Sequence, residues 1–340
     1  MKLREGIGFK FLSLKEQQLY KVMSKAFSSM ALEFKCPLTL RGVDIMKVME
    51  TLLGDNPGII YFDKTQIKFE ETLTEKTIFL TGLFSSAQTV KMYKTLEERA
   101  DKIISIVESE SIDDYSLLFN LYKILQKNIV YDVEELNSIG NGSTKNPSSH
   151  NAYGALVNKN AVCDGFSSAF ALIAQKLGFD CTVITGHSGY SSALYIEHAW
   201  NIIKLSNMYY HLDLTWDTRS YEQSGEFFFD YFILCDRDMG CDHIWNRKNN
   251  PQCTDNSLSF HNVFGFLANN TEQIKTIIRS YVNYNSDFFR IKISPNIRFT
   301  KDPGKHLMEM VFNEIVKPGM SRQASYIWNK NIRTFSVKIE

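Results

Sequence analysis

The chain has 340 residues, which is enough for two domains or for one large domain with an accessory layer. Hydrophobic residues make up 44% and charged residues 22%, a composition that is ordinary for a soluble globular protein. Lys and Arg together number 38, as do Asp and Glu, so the formal net charge is zero and nothing global favours nucleic acid or an anionic membrane as a partner.

Three further global features narrow the class of protein. Charges interrupt any apolar stretch at the N-terminus, and no run approaches the roughly 18 apolar residues of a membrane helix, so we expect a cytoplasmic protein. The 6 cysteines are sparse and irregularly spaced, which argues against a disulfide framework. No glycine-rich phosphate loop precedes a predicted helix, so nucleotide binding has no support.

The first predicted region covers residues 1–110 and is interpreted as an accessory α+β region. Ser13 and Glu16 have the spacing of a capping box, in which two side chains satisfy free backbone N–H groups at the start of a helix. The predicted elements are a helix over Ser13–Met30, short strands at Ile59–Phe62, Ile67–Phe69 and Thr77–Thr81, and a long charged helix over Ala87–Glu108.

The second predicted region covers residues 111–253. A polar stretch rich in Gly, Ser and Asn runs over Asn137–Asn151 and predicts a long loop, which is often functional and which here precedes Cys163. The other predicted elements are helices over Tyr115–Asn128 and Gly165–Leu177, a buried strand over Cys181–Thr185, and a hairpin of Tyr195–Leu205 and Met208–Trp216 around Ser206-Asn207.

The last predicted region covers residues 254–340 and is less regular. It contains strand patterns at Phe288–Ile293 and Thr334–Ile339 and a helical pattern over Lys305–Val316. We expect an α+β extension here. Neither this region nor the first one carries a recognisable chemical motif.

Three residues of the second region stand in settings that indicate chemistry. Cys163 opens a predicted helix, where the positive end of the helix dipole favours the thiolate and free N–H groups can bind an oxyanion. His198 and Asp213 lie on the two predicted strands of the hairpin. This order suits a thiolate nucleophile, an imidazole base and a carboxylate that orients the base. Gly165 would let the chain or a substrate approach closely.

The predicted hairpin determines whether His198 and Asp213 can meet. With a two-residue loop at Ser206-Asn207, His198 pairs with Thr215 and Trp200 pairs with Asp213. His198 and Asp213 are then diagonal neighbours on one sheet face, about 7–8 Å apart and within reach of each other's side chains. A three-residue loop would move Asp213 to the other face. One face is apolar and suits the core, whereas the mixed face suits a site.

Five segments carry a resemblance to a known family. They are Asn128-Ile-Val-Tyr-Asp132, Asn151-Ala-Tyr-Gly-Ala-Leu-Val157, Ala161-Val-Cys-Asp-Gly-Phe166, Glu197-His-Ala-Trp-Asn-Ile202 and His211-Leu-Asp-Leu-Thr-Trp-Asp217. They resemble the transglutaminase-like superfamily, distant relatives of the papain-like cysteine enzymes, over roughly residues 110–250. The cysteine, histidine and aspartate of that family fall on Cys163, His198 and Asp213.

The resemblance implies a papain-like α+β core, in which a helix carrying the nucleophilic cysteine packs on an antiparallel sheet carrying the histidine and the aspartate. It also implies acyl transfer from an amide through a cysteine thioester, a reaction that needs no metal or organic cofactor. We favour a protease or amidase acting on peptide or protein substrates. The alternatives are a transglutaminase or amide-forming biosynthetic transferase, which would use an amine acceptor, and a non-catalytic binding module.

Other residues near these motifs have simpler interpretations. For Asp164 we favour helix capping over catalysis, and for Tyr153 we favour packing over assistance to an oxyanion. Trp200 and Trp216 are expected to pack around the site. For His187 an exposed loop position is favoured over a substrate contact.

A second group of possible metal ligands lies near the end of the second region. Cys235, Cys241, His243 and Cys253 have the spacing Cys-x5-Cys-x-His-x9-Cys, which fits no common zinc pattern. We therefore interpret the cysteines as structural.

Overall fold

A computed structural model describes residues 2–40, 42–72, 76–189, 195–283, 287–315 and 323–339. The helices are α1 (Leu14–Ser28), α2 (Ile45–Asp55), α3 (Ser86–Ser109), α4 (Asp114–Asn128), α5 (Val133–Gly140), α6 (Cys163–Lys176), α7 (Leu214–Ser224), α8 (Asp236–Met239), α9 (Phe260–Val263), α10 (Thr271–Asn283) and α11 (Pro303–Ile315). The strands are β1 (Glu33–Cys36), β2 (Phe62–Glu71), β3 (Lys76–Gly82), β4 (Val130–Tyr131), β5 (Asn160–Ala161), β6 (Cys181–Ser188), β7 (Ile196–Leu205), β8 (Met208–Leu212), β9 (His243–Trp245), β10 (Leu267–Ala268), β11 (Phe288–Ile293), β12 (Ala324–Asn329) and β13 (Thr334–Ile339). The α+β class is confirmed.

The long periodic elements agree with their predictions. The capping box of Ser13 and Glu16 is present at the start of α1, with both reciprocal hydrogen bonds. Helices α3, α4, α6 and α11 begin and end close to the predicted residues. Val316, the last residue of the final predicted helix, lies outside the described residues.

Two predictions in the first half of the chain need correction. The strand predicted at Ile59–Phe62 is wrong except at Phe62, where β2 begins, because the Ile59 N–H closes a turn onto the Asn56 carbonyl and the Ile60 N–H donates to the hydroxyl of Tyr93. The loop expected at Asn137–Asn151 is limited to the residues after Gly140 and before Pro147, since α5 covers its first residues and a 3₁₀ turn forms at Pro147–His150.

The central sheet has the order β8-β7-β6-β9, with antiparallel neighbours throughout. Leu205 pairs with Met208, so the predicted two-residue loop is confirmed. Its residues Ser206 and Asn207 both have positive φ, at 50° and 65°, as the tight hairpin turn of type I′ requires.

The second strand of this hairpin is shorter than predicted. β8 ends at Leu212, and Asp213 is the N-cap residue of α7 rather than a member of the sheet. The predicted pairing of His198 with Thr215 is therefore wrong. The Asp213 carboxylate accepts the N–H groups of Thr215 and Trp216, which stabilises a helix start where the alternation of apolar residues indicated a strand.

Both faces of the central sheet are buried. Ile203 and Leu212 pack with α6 in the largest apolar core, while Trp200 and Ile202 lie in a second core with Trp245. The face that we expected to be mixed and to suit a site is thus largely covered by the chain around β9. His198 lies where this face meets the cleft described below.

Two other sheets, of three and four strands, pack into separate apolar cores. The order β1-β3-β2 packs with α1 and α2 around one core, and the order β10-β11-β13-β12 packs with α10 and α11 around another. Side chains of α3 share the largest core with those of α4. The region limits at residues 110 and 253 stay predictions. None of the described helices is long and apolar enough to cross a membrane.

Candidate active site

Cys163 lies at the first position of α6, as the sequence indicates. It is half-buried and lines a large cleft. The N-cap residue, Val162, has no side chain that could satisfy the first N–H groups of the helix. A helix start of this kind presents partial positive charge to an anion, so it suits a thiolate and an oxyanion.

Helix α6 is tied to β7 by two polar side chains. Ser167 Oγ donates to the carbonyl of Ala199 at 2.9 Å, and it also lies 2.8 Å from the carbonyl of Cys163 in its own helix. Asn201 Nδ2 in turn donates to the carbonyl of Ser167 at 2.9 Å. These buried bonds fix the helix that carries Cys163 relative to the strand that carries His198.

Gly165 allows a second close contact of the same helix. A Cβ atom at this position would lie 2.2 Å from the carbonyl oxygen of Ser149. That carbonyl accepts the N–H of Val162, so the segment before the helix is held against its first turn. Of the two groups that we expected to approach Gly165 closely, the chain or a substrate, the structure shows the chain, in the form of the Ser149 carbonyl.

The structure brings Cys163, His198 and Asp213 together. His198 Nε2 is 2.7 Å from Asp213 Oδ2, and the pair is almost completely buried. Burial lowers the pKa of His198, but the charge and hydrogen bond of Asp213 and a hydrogen bond with Cys163 outweigh it and raise the pKa to about 9. Because Nε2 is occupied by Asp213, Nδ1 is the ring nitrogen left for the thiol.

Asp213 is held as an ionised carboxylate. Its Oδ1 accepts the N–H groups at the start of α7, and the hydroxyl of Tyr122 donates to its backbone carbonyl at 2.8 Å. Burial raises the pKa of Asp213, but the charges and hydrogen bonds of His198 and His243 outweigh burial and hold the pKa well below its usual range. Such a group orients an imidazole without taking its proton.

His243 is a member of this cluster that the sequence interpretation missed. Its Nε2 is 3.1 Å from the same Oδ2 of Asp213, and its Nδ1 is 2.7 Å from Oδ1 of Asp242. The signal was present, because Asp242-His-Ile-Trp245 repeats the pattern of Glu197-His-Ala-Trp200. The two segments flank β6 from either side.

His150 is the second functional candidate that was missed. Its Nδ1 is 3.0 Å from Asp164 and its Nε2 is 3.1 Å from Glu135, so carboxylates occupy both ring nitrogens. Burial lowers the pKa of His150, but Asp164 and Glu135 outweigh burial and raise the pKa to about 9. Lys64 Nζ donates to the His150 carbonyl at 3.2 Å. No local sequence pattern marks His150, because its partners come from separate elements.

The predicted roles of Asp164 and His187 need correction. Asp164 is not the N-cap residue; it lies in the first turn of α6, accepts the N–H of Gly165 and pairs with His150. His187 is exposed as expected, but it lies on β6 rather than in a loop, and it lines the cleft.

The aromatic residues pack as expected. Tyr153 packs against the main core, Trp200 stacks near His198 with ring centres 5.9 Å apart, and Trp216 lies 6.3 Å from the same imidazole. Tyr131 lines the cleft on the other side of Cys163, where burial and the nearby thiol raise the pKa of its phenol.

Possible metal ligands converge at two places among the described residues. His198, Asp213 and His243 form one group and His211, Asp236 and Cys253 the other, each with donor atoms within 4.8 Å of one another. In both groups histidine nitrogens already hydrogen-bond a carboxylate oxygen, at 2.7 to 3.1 Å. This arrangement is complete without an ion.

The cleft beside Cys163 has a volume of about 1530 Å³. Its walls come from α2 and β2 of the first region, from the segment 136–150, and from the strands β6, β7 and β9. Apolar side chains of α2, β2 and α5 line part of the cleft, and they are Met46, Met49, Leu53, Ile67, Leu136 and Ile139. The first region, which lacks a chemical motif of its own, therefore shapes the space in front of the cysteine.

Comparison with known families agrees with this core. Residues 101–214 match the model of the transglutaminase-like superfamily, and the matched segment contains Cys163, His198 and Asp213. The resemblance stated from the motifs is confirmed over that segment, which is about a third of the chain. No curated protein matches the sequence.

Three solved structures are similar to part of the chain. One is a TGase, with 16% identity and a TM-score of 0.32, which covers 54% of this chain and 50% of its own. The second is a "putative cysteine protease" from Cytophaga hutchinsonii, with 13% identity and a TM-score of 0.27. The match covers 44% of this chain and 61% of that chain. The third is the periplasmic domain of TgpA from Pseudomonas aeruginosa bound to ethylmercury, with 14% identity and a TM-score of 0.28. The match covers 43% of this chain and 57% of that chain. The chain thus spans only 50 to 61% of the length of these structures.

Proposed function

We propose that this protein is a cysteine-dependent enzyme that transfers the acyl group of a peptide or protein amide, with hydrolysis as the favoured outcome. Cys163 is the nucleophile, His198 the acid and base, and Asp213 the orienting carboxylate. The observation that carries the proposal is the position of His198, bonded to buried Asp213 at 2.7 Å through one nitrogen and adjacent to the Cys163 thiol at the edge of the cleft.

The first half of the reaction forms a thioester. The thiolate of Cys163 attacks the amide carbonyl carbon, and the oxygen of the resulting tetrahedral intermediate lies toward the N-terminal N–H groups of α6. The His198 imidazolium then gives its proton to the amide nitrogen, the C–N bond breaks, and the amine or ammonia leaves. Asp213 keeps the imidazole in the orientation that this transfer needs.

The second half releases the acyl group. His198, now neutral, takes a proton from water as the water oxygen attacks the thioester carbonyl. The C–S bond breaks, the carboxylic acid leaves, and the thiolate and imidazolium are restored. An amine acceptor in place of water gives a new amide by the same steps.

The size of the cleft supports a polypeptide substrate. Sites for drug-sized ligands usually occupy about 300–1,000 Å³, and this cleft is larger, at about 1530 Å³. Its open apolar wall, which includes Met46 and Ile139, suits bulky side chains next to the reacting amide.

A transferase is the second candidate, and one observation favours it. The carboxylates of Glu50 and Glu197 both line the cleft and lie close enough for their charges to interact. Together with burial, which is the larger effect, this repulsion raises the pKa of Glu50. A cationic amine acceptor would relieve the repulsion. The cytoplasmic location and the absence of a membrane or nucleic-acid partner stay predictions.

Selective alkylation tests the nucleophile. We expect iodoacetamide at pH 7 to modify Cys163 at least about tenfold faster than Cys241, because only Cys163 has an imidazolium partner. Cys241 is the matched control within the chain, since it is exposed and the other four cysteines are buried. Mass analysis of the modified peptides measures both rates. Equal rates at the two residues would contradict the catalytic assignment.

Competition with a free amine separates the two outcomes. We expect the wild-type protein to release carboxylate ends from unfolded protein substrates, and the variant Cys163→Ala to release none. If a fluorescent primary amine in excess is instead incorporated into the substrate, by wild type but not by Cys163→Ala, the transferase is the correct candidate. No Cys163-dependent change of the substrate in either assay would favour a non-catalytic binding module.

A further inference from the structure

A buried hydrogen-bond network of ionisable side chains leads away from Cys163. His198 and His243 both bond Oδ2 of Asp213, at 2.7 and 3.1 Å, and His243 also bonds Asp242 at 2.7 Å. All four of these residues are at most 7% exposed. A single carboxylate oxygen is thus shared by two imidazoles, which is more than the orientation of His198 requires.

The end of this network that is farthest from Cys163 is held by residues that include two from the C-terminal part of the protein. Tyr231 donates its hydroxyl hydrogen to Asp242 Oδ2 at 2.7 Å, and Asn329, the last residue of β12, donates to the Tyr231 oxygen at 3.3 Å. Asn331 Nδ2 lies 3.5 Å from the same Asp242 oxygen. Asp242 therefore has a fixed position, and it holds the ring of His243 at Asp213.

We propose that His243 is a positioning residue of the acyl-transfer site: by sharing Oδ2 of Asp213 with His198, it keeps the His198 imidazolium able to release its proton to the leaving amine. The proposal rests on the function proposed above. It assigns to β9 and to the C-terminal extension a part in the reaction that none of the sequence motifs indicated.

The charges around His243 determine the direction of the effect. Asp213 and Asp242 contact it directly, and the rings of His198, Trp200, Trp216 and Tyr231 lie within 5.6 Å between centres. Burial lowers the pKa of His243, but its bonds to Asp213 and Asp242 outweigh burial and raise it. Protonation of His243 is therefore favoured over that of an ordinary histidine, and its ring centre lies 5.5 Å from that of His198.

In its protonated form, His243 at this distance weakens the hold of Asp213 on the His198 proton. If it is removed, His198 becomes more basic and its imidazolium becomes a poorer acid. Proton transfer to the leaving nitrogen then slows, because the efficiency of a general acid falls as its pKa rises above the working pH.

The variant His243→Gln tests this. Glutamine has an amide N–H that can still donate to Asp213, but it carries no charge. We expect the titration of the His198 ring, followed by NMR, to move to higher pH by about half a unit or more. The alkaline limb of kcat/KM should move in the same direction, and kcat for amides at pH 7 should fall about 3–10-fold.

His211→Gln is the matched control. His211 is also fully buried and also bonds an aspartate, Asp236, at 2.9 Å, but it does not contact Asp213. Burial, and less strongly the charges of His243 and Arg247, lower the pKa of His211, which is the opposite direction to the shift of His243. We expect this variant to leave the His198 titration where it is in the wild type.

The titration and the turnover assay test the role of His243 and the proposed acyl-transfer reaction separately. An unchanged His198 titration in folded His243→Gln overturns the role of His243, whether or not the protein turns over an amide. A shifted titration without Cys163-dependent turnover supports the coupling and rejects the reaction. If His243→Gln does not fold, His243→Asn gives the same measurement with a shorter amide, and an unchanged titration there is equally decisive.

Discussion

Two histidines flank Cys163, and the comparison between them shows what distinguishes a base from a structural cation. Both His198 and His150 are buried, and carboxylates raise the pKa of each to about 9. His198 bonds a carboxylate through one nitrogen and leaves the other for the thiol, whereas both nitrogens of His150 are bonded to Asp164 and Glu135. A raised pKa alone therefore does not distinguish the two histidines. We propose His198 as the acid and base because it keeps one ring nitrogen for the Cys163 thiol.

The two clusters also differ in how they are held. The His198 cluster is built on β7, β9 and the start of α7, around the central sheet. The His150 cluster joins a short turn, Pro147–His150, to the first turn of α6 and to α5. We interpret the second cluster as the element that holds the segment before α6 in place, and the first as the one that takes part in proton transfer.

The largest expected effect separates the two histidines by activity. His198→Asn should lower Cys163-dependent amide turnover by about 10³-fold, because the acid and base are lost. His150→Asn should retain most of the rate of Cys163 alkylation at pH 7, since neither nitrogen of His150 is free for the thiol. Turnover and alkylation rates of both purified variants check this. A comparable loss of alkylation in both variants would break the distinction drawn above.

The next effect concerns the contact between the first turn of α6 and the segment that precedes the helix. Gly165→Ala should destabilise the protein by about 3 kcal/mol, because its Cβ atom would lie 2.2 Å from the Ser149 carbonyl oxygen and the backbone must move. Gly140→Ala is the control, since nothing lies within 4 Å of a Cβ atom there. Urea unfolding measures both, and equal stabilities of the two variants would show that the segment before α6 is not tightly held.

The stabilising effect of the His150 cluster should depend on pH. The folded pKa of His150 is about 9, above its unfolded value near 6.5, so its contribution is fully present below pH 6.5 and is lost as the pH rises through 9. The difference in unfolding free energy between wild type and His150→Gln should therefore shrink by up to about 3 kcal/mol over this window. Urea titrations at pH 6, 7.5 and 9 give the difference. A constant difference would mean that His150 is not charged in the folded state.

The smallest effect concerns the bond between helix and strand. Ser167→Ala removes the hydroxyl that donates to the Ala199 carbonyl and should cost about 1 kcal/mol of stability. It should also lower turnover more than Ser220→Ala, whose hydroxyl bonds only a carbonyl of its own helix. Equal turnover in the two variants would show that this bond does not set the distance between Cys163 and His198.

The sequence was sufficient for elements with strong local signals. The helix that begins at Cys163 and the two-residue loop at Ser206-Asn207 were predicted correctly because apolar periodicity and turn chemistry act over a few residues. The strand predicted through Trp216 failed because the same apolar alternation also fits a strand end followed by a helix capped by Asp213. His198 and Asp213 nevertheless come within bonding distance, although they do not lie on one sheet as the hairpin argument assumed.

By itself, the sequence determined the resemblance of residues 101–214 to the transglutaminase-like superfamily, the α+β class and the three residues that we expect to react, because these depend on local motifs in a fixed order. The tertiary structure decided that Asp213 is shared by two histidines, that His150 is held by two carboxylates, and that the first region forms a wall of the cleft. These features join residues that are far apart along the chain. They arise from how buried charges find partners during packing, and a buried charge needs such a partner wherever in the sequence it comes from.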